Sequence, residues 1–169
     1  TAPIIFPWLQ KDLGYGDEWI GVVDFATRWA KFGGVIVAGF VARWFYLKRA
    51  LLVTVGFKAT SYFALGAFAG FWGSKELVLG LALATSVADG LFVVLFCTML
   101  MDHTKAKAAA TQFAAFMAFM NLSNTWTAAT GGWLSGHLSS AGMFLTGGAC
   151  QLLIIIPLMF VKRSPEVER

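Results

Sequence analysis

Five charged side chains stand inside long apolar runs. Asp24, Arg28 and Lys31 share one run, Lys58 lies in the next and Asp89 in a third. A charge inside a membrane span costs ~3 kcal/mol on insertion scales, so such residues must face protein or water rather than lipid. Asp24, Arg28 and Lys31 are spaced by four and three residues, which puts them on one helical face. Two readings fit that face. Asp24 and Arg28 form an ion pair that ties helices together, or Arg28 and Lys31 form a cationic patch that receives an anionic solute. Arginine suits a carboxylate or phosphate because its fork meets two oxygens at once. Asp89 sits near the middle of its run. Desolvation disfavours the charged form of a lone carboxylate, and a nearby cation reverses that. Asp89 is therefore either a proton site or a fixed partner of Lys31 or Lys58. Lys58 itself is expected to snorkel toward the surface.

A fourth run, Met101 to Gly136, is polar in a different way. It carries Gln112, Asn121, Ser123, Asn124, Thr125, Thr127 and Thr130. A membrane helix with so many amides and hydroxyls needs partners on other helices or water in a cavity. Asn121 and Thr125 share a face, with Asn124 about 60° away. The two histidines, His103 and His137, fall in loops and are expected to be solvated. Cys97 and Cys150 lie in apolar runs, where neither a disulfide nor metal-ligand spacing is available. There is no nucleophile–base pair and no phosphate-cradling glycine loop. The chemistry on offer is binding and proton exchange, so neither an enzyme nor a cofactor is expected.

The elements that must position these residues are membrane helices. The chain is 58% hydrophobic and 13% charged, against roughly 25% charged residues in an ordinary soluble domain. Apolar runs of ~20 residues recur and ten-residue alternation does not, which predicts an all-α, polytopic membrane protein and not a barrel. Residues 1–9 are expected to be the end of a truncated helix, closing at Pro7. Spans are expected over 19–42, 50–72, 77–101, 108–136 and 143–161, with 162–169 as a tail. The net charge of +4 comes from short loops and the C-terminus and signals no nucleic-acid partner. Arg43, Lys48 and Arg49, then Lys105 and Lys107, then Lys162 and Arg163 fall on one side. The positive-inside rule makes that side cytoplasmic, with the C-terminus inside. Gly66/Gly70 and Gly132/Gly136 have the spacing of close helix contacts.

Several stretches resemble AmpG-type muropeptide permeases of the major facilitator superfamily, in the branch that also holds acetyl-CoA transporters. ATQFAAFMAFMNLSNTWTAATGGWL, Ala110 to Leu134, is similar to that family's eleventh helix. PWLQKDLGYGDEWIGVVD, Pro7 to Asp24, is similar to its junction between helices seven and eight. Arg49, Ala50, Leu51 and Leu52 stand where the family has a run opening helix nine. CTMLMDHTKAKAAATQF resembles the end of helix ten and its loop. Ala128 to Gly132 depart from the glycine–proline step often found late in helix eleven.

The resemblance implies the C-terminal six-helix half of a twelve-helix transporter, its first helix truncated, in the inner (plasma) membrane. It also implies a missing N-terminal half as partner, and a solute site between the halves near the bilayer midplane. The expected function is proton-coupled import of an anionic solute, muropeptides first, by alternating access. Arg28 and Lys31 hold the anionic groups, Asn121 and Asn124 hydrogen-bond the solute, and Asp89, or else Asp24, carries the coupling proton. The alternative is a truncated membrane module that associates with other helices without transporting.

Overall fold

The structure is a computed structural model and describes residues 8–10, 13–102, 104 and 109–161. Expectations placed on residues 1–7, Lys11, Asp12, His103, Lys105, Lys107 and the tail lie outside the described residues. The described residues are predominantly helical, without a strand among them. The helices are α1 (Asp17–Trp44), α2 (Leu47–Ala67), α3 (Lys75–Asp102), α4 (Ala109–Ser135), α5 (Ser140–Leu153) and α6 (Ile155–Phe160), with a 3₁₀ turn over Ala69–Phe71. Trp8 to Gln10 are also helical, so there is helix past Pro7, where the sequence predicts an end.

Among the described residues, three segments are long and apolar enough to cross a membrane: Leu47–Ala67, Lys75–Asp102 and Ser140–Phe160. The helices α1 and α4 are 28 and 27 residues long, about 40 Å each, yet are not among them. Asp24, Arg28 and Lys31 lower the hydropathy of α1, and the amides and hydroxyls of α4 lower its own.

Local chemistry explains the ends. α1 follows Gly16 and carries Asp17 and Glu18 in its first turn and Arg43 in its last, signs that suit the helix dipole. The Ser139 side chain accepts a hydrogen bond from the Gly142 amide and caps α5. The run 143–161 is not one helix, because it breaks at Ile154. Pro157 lacks an N–H for the Leu153 carbonyl and its ring crowds that oxygen, so the break falls one turn before the proline.

Two apolar clusters set the helix order. Val23, Tyr62, Leu65, Val78, Ala82 and Phe144 meet with Trp8 and Leu9 at one end. Ala38, Ala50, Leu51, Val55, Leu95, Met99 and Leu158 meet at the other. α1 and α3 therefore run one way and α2 the other, and α5–α6 follows α1. α1 packs closely on α3, α2 on α5, and the α2–α3 seam joins the two pairs. The α1–α3 crossing is set by two glycines. A Cβ on Gly34 would run into the Val87 carbonyl, and one on Gly90 into the Lys31 carbonyl. Of the four glycines singled out by spacing, Gly66 abuts another helix, at Ala141 and Leu145, whereas Gly70 and Gly132 face open space and Gly136 meets only Trp133 of its own turn.

The first cluster is aromatic. Trp8 packs edge-on against Trp72 and Phe144, with ring centroids 4.7 and 4.9 Å away. The Tyr15 hydroxyl donates to the Trp72 carbonyl at 2.9 Å, and burial pushes this phenol above its ordinary value.

Candidate functional site

Asp89 lies near the midpoint of α3, between Ala82 of the aromatic-end cluster and Leu95 of the other. Across the seam, Lys58 occupies the matching height of α2, between Val55 and Tyr62. Their side chains meet: Lys58 Nζ is 2.6 Å from Asp89 Oδ1, with the two side chains 11% and 13% exposed. Lys58 Nζ also stands 5.2 Å from the centre of the Phe92 ring, a cation–π contact one turn along α3 from the carboxylate. Lys58 therefore does not snorkel to the surface as expected. Asp89 is within reach at mid-height, and pairing there satisfies both charges.

The pair sits in a polar seam. The buried polar side chains among the described residues are Thr54, Lys58 and Ser61 of α2 and Thr85 and Ser86 of α3. Thr54, Lys58 and Ser61 repeat at four and three residues and share one face of α2, and Thr85 and Asp89 are four apart on α3. Three of the hydroxyls are satisfied within their own helices, through the carbonyls of Ala50, Phe57 and Leu81. The Lys58–Asp89 ion pair is a strong polar contact between the helices. Sequence reasoning passed over Thr54, Ser61, Thr85 and Ser86. Their helical spacing around Lys58 and Asp89 was the signal that could have marked them.

The α1 charges are in a different setting. Arg28 Nε donates to both carboxylate oxygens of Asp24 at 2.9 Å. The Arg28 side chain is 77% exposed and that of Asp24 34%, so the pair lies at the surface and contributes little to stability. Lys31 is exposed too. The packed residues of α1 are Val23, Gly34 and Ala38, and the three charges lie on the flank beside that stripe. The backbone carbonyl of Lys31 abuts Gly90, next to Asp89 in the chain, while its exposed side chain lies outside the α1–α3 contact.

Asn121 and Asn124 are exposed on α4, which buries none of its residues. The Thr125, Thr127 and Thr130 hydroxyls return to carbonyls of their own helix. α4 touches α3 and α5, its neighbours in the chain, and is not closely packed on α1. The structure thus gathers Asp89 and Lys58 into one site, joins Asp24 to Arg28 in another, and does not bring Asn121 or Asn124 to either.

Cys97 and Cys150 are free thiols. Among the described residues no three His, Cys, Asp or Glu side chains are grouped to hold a metal. No family model, curated protein or solved structure matches the chain.

Proposed function

We propose that the chain is a helical half of a membrane carrier that moves an anionic solute by alternating access, with Asp89 as the proton site. The observation that carries this reading is the Lys58–Asp89 pair, enclosed at mid-height between two apolar clusters. Neutralising Asp89 removes the partner of an enclosed ammonium, which is strongly unfavourable unless the surroundings change. The pair lies in the seam joining the α1–α3 and α2–α5 pairs. A proton arriving at Asp89 therefore acts on the packing between two helix pairs, which is what a coupling site must do. Lys58 is the residue that positions the carboxylate.

The exposed flank of α1 and the exposed surface of α4 are the faces that would meet a second six-helix half, with the solute between them. Arg28 and Lys31 would hold the anionic groups there, and Asn121 and Asn124 would hydrogen-bond the solute. The resemblance to AmpG-type permeases supports muropeptides as the first solute class to test and the inner membrane, C-terminus inside, as the location. A second reading, a helix-association module without transport, draws on α4, none of whose residues is buried. Uptake of a panel of labelled anionic solutes into vesicles carrying the full-length protein decides between them. Accumulation driven by a proton gradient supports the carrier. No uptake of any solute, with the protein inserted, supports the module.

A further inference from the structure

The connection between α1 and α2 is two residues long, Phe45 and Tyr46. Around it the chain reads RWFYLKR, Arg43 to Arg49. Three consecutive large aromatic side chains stand at the surface here: Trp44, Phe45 and Tyr46, which are 76%, 66% and 60% exposed. Arg43 in the last turn of α1 and Arg49 in the first turn of α2 are exposed beside them. The Arg49 guanidinium stands 5.5 Å from the centre of the Tyr46 ring. Lys48 is engaged otherwise, since its Nζ donates to the carbonyls of Met159 and Val161 at 2.9 and 3.0 Å. This holds the elbow against the end of α6. The first turn of α2 has no acid, and Asp102 at the end of α3 is the carboxylate that the described residues place at this end of the bundle.

We infer that this elbow binds the headgroup of an anionic phospholipid. Two guanidinium forks match phosphate oxygens. Trp44 and Tyr46, each an aromatic ring with one polar edge, match the boundary between headgroups and acyl chains, and Phe45 between them adds apolar surface. Zwitterionic lipid would cover the rings, but its phosphate comes with a cation in the same headgroup and so offers the arginines no net counter-charge. A soluble acidic peptide would answer the arginines and leave three rings in water. An anionic lipid satisfies both. The inference rests on the chain lying in a bilayer and not on its transporting anything.

The test uses the full chain purified in neutral detergent. It is mixed with micelles holding phosphatidylglycerol or phosphatidylcholine of the same acyl chains, and retained lipid is counted by native mass spectrometry. Phosphatidylglycerol is expected to be retained about tenfold over phosphatidylcholine, and Arg43→Gln/Arg49→Gln to bring it down to the phosphatidylcholine level. Lys75→Gln, at the opposite end, removes one charge and is expected to leave the preference unchanged. Should the glutamine variant fail to fold, Arg43→Lys/Arg49→Lys keeps the charge without the forks and is expected to lose several-fold of the preference. Equal retention of the two lipids by the native chain overturns the inference, as does an undiminished preference in both variants. Full displacement of the lipid by inorganic phosphate at the same concentration also overturns it, because the rings would then contribute nothing. Release of the chain from membranes by alkaline carbonate would instead refute the membrane placement.

Discussion

Lys58 Nζ reaches Asp89 Oδ1 across the α2–α3 seam at 2.6 Å, and this contact closes the polar stripe that both helices carry. Neither residue is a surface charge, so each depends on the other. Lys58→Met and Asp89→Leu are each expected to lower stability by about 3–5 kcal/mol, because each takes away the oppositely charged partner of an enclosed ion. The double variant is expected to recover most of that loss, since no charge is then stranded. Thermal unfolding of the full chain in one detergent checks this. Additive losses in the double variant would mean the two residues do not depend on each other.

Gly34→Ala and Gly90→Ala are expected to cost about 1–3 kcal/mol each, because the added Cβ meets a backbone carbonyl on the facing helix and a backbone cannot turn aside as a side chain can. Gly33→Ala and Gly80→Ala meet open space and are expected to be neutral or to stabilise by up to about 1 kcal/mol through helix propensity. The same melts read all four. Equal effects across the set would contradict the α1–α3 crossing.

These two sites mark where the sequence was readable and where it was not. Helices could be expected from the apolar runs, because that signal is local, although α1 extends beyond the expected 19–42 at both ends, to Asp17 and Trp44. The partner of Asp89 could not be chosen, since Lys31 and Lys58 were both in range and helical period says nothing of which helix lies beside which. The snorkelling expected of Lys58 failed for that reason. Gly34 and Gly90 were hidden among 18 glycines, and the GxxxG spacing pointed elsewhere. The break at Ile154 is marked in the sequence by Pro157, which the expected span over 143–161 passed over.

Arg28→Ala and Lys31→Ala are expected to change the melting free energy by less than about 1 kcal/mol, because both side chains are exposed and the Asp24–Arg28 pair lies at the surface. In the full-length protein, uptake at low solute concentration is expected to fall by about tenfold for each, the value of one charge-assisted contact. Uptake normalised to inserted protein is the measurement. An unchanged rate per molecule would leave the flank without a role in binding.

Asn121→Cys and Asn124→Cys, in a background lacking Cys97 and Cys150, are expected to react with a water-soluble maleimide in the full-length protein and to be protected by transported solute. The observation behind this is their exposure on a helix that buries nothing. Failure of both to label would place this face of α4 against lipid or protein, away from the solute path.

Asp89→Asn tests the coupling role most directly. The amide keeps the size of the carboxylate and its oxygen still accepts a hydrogen bond from Lys58, but it does not titrate. Full-length protein in vesicles is assayed twice: for accumulation of labelled anionic solute driven by a proton gradient, and for exchange of solute at equal concentration on both sides. Rates are divided by the amount of folded protein. Loss of accumulation with exchange retained is the predicted result. An Asp89→Asn protein that still concentrates solute against its gradient would contradict the assignment of Asp89 as the proton site.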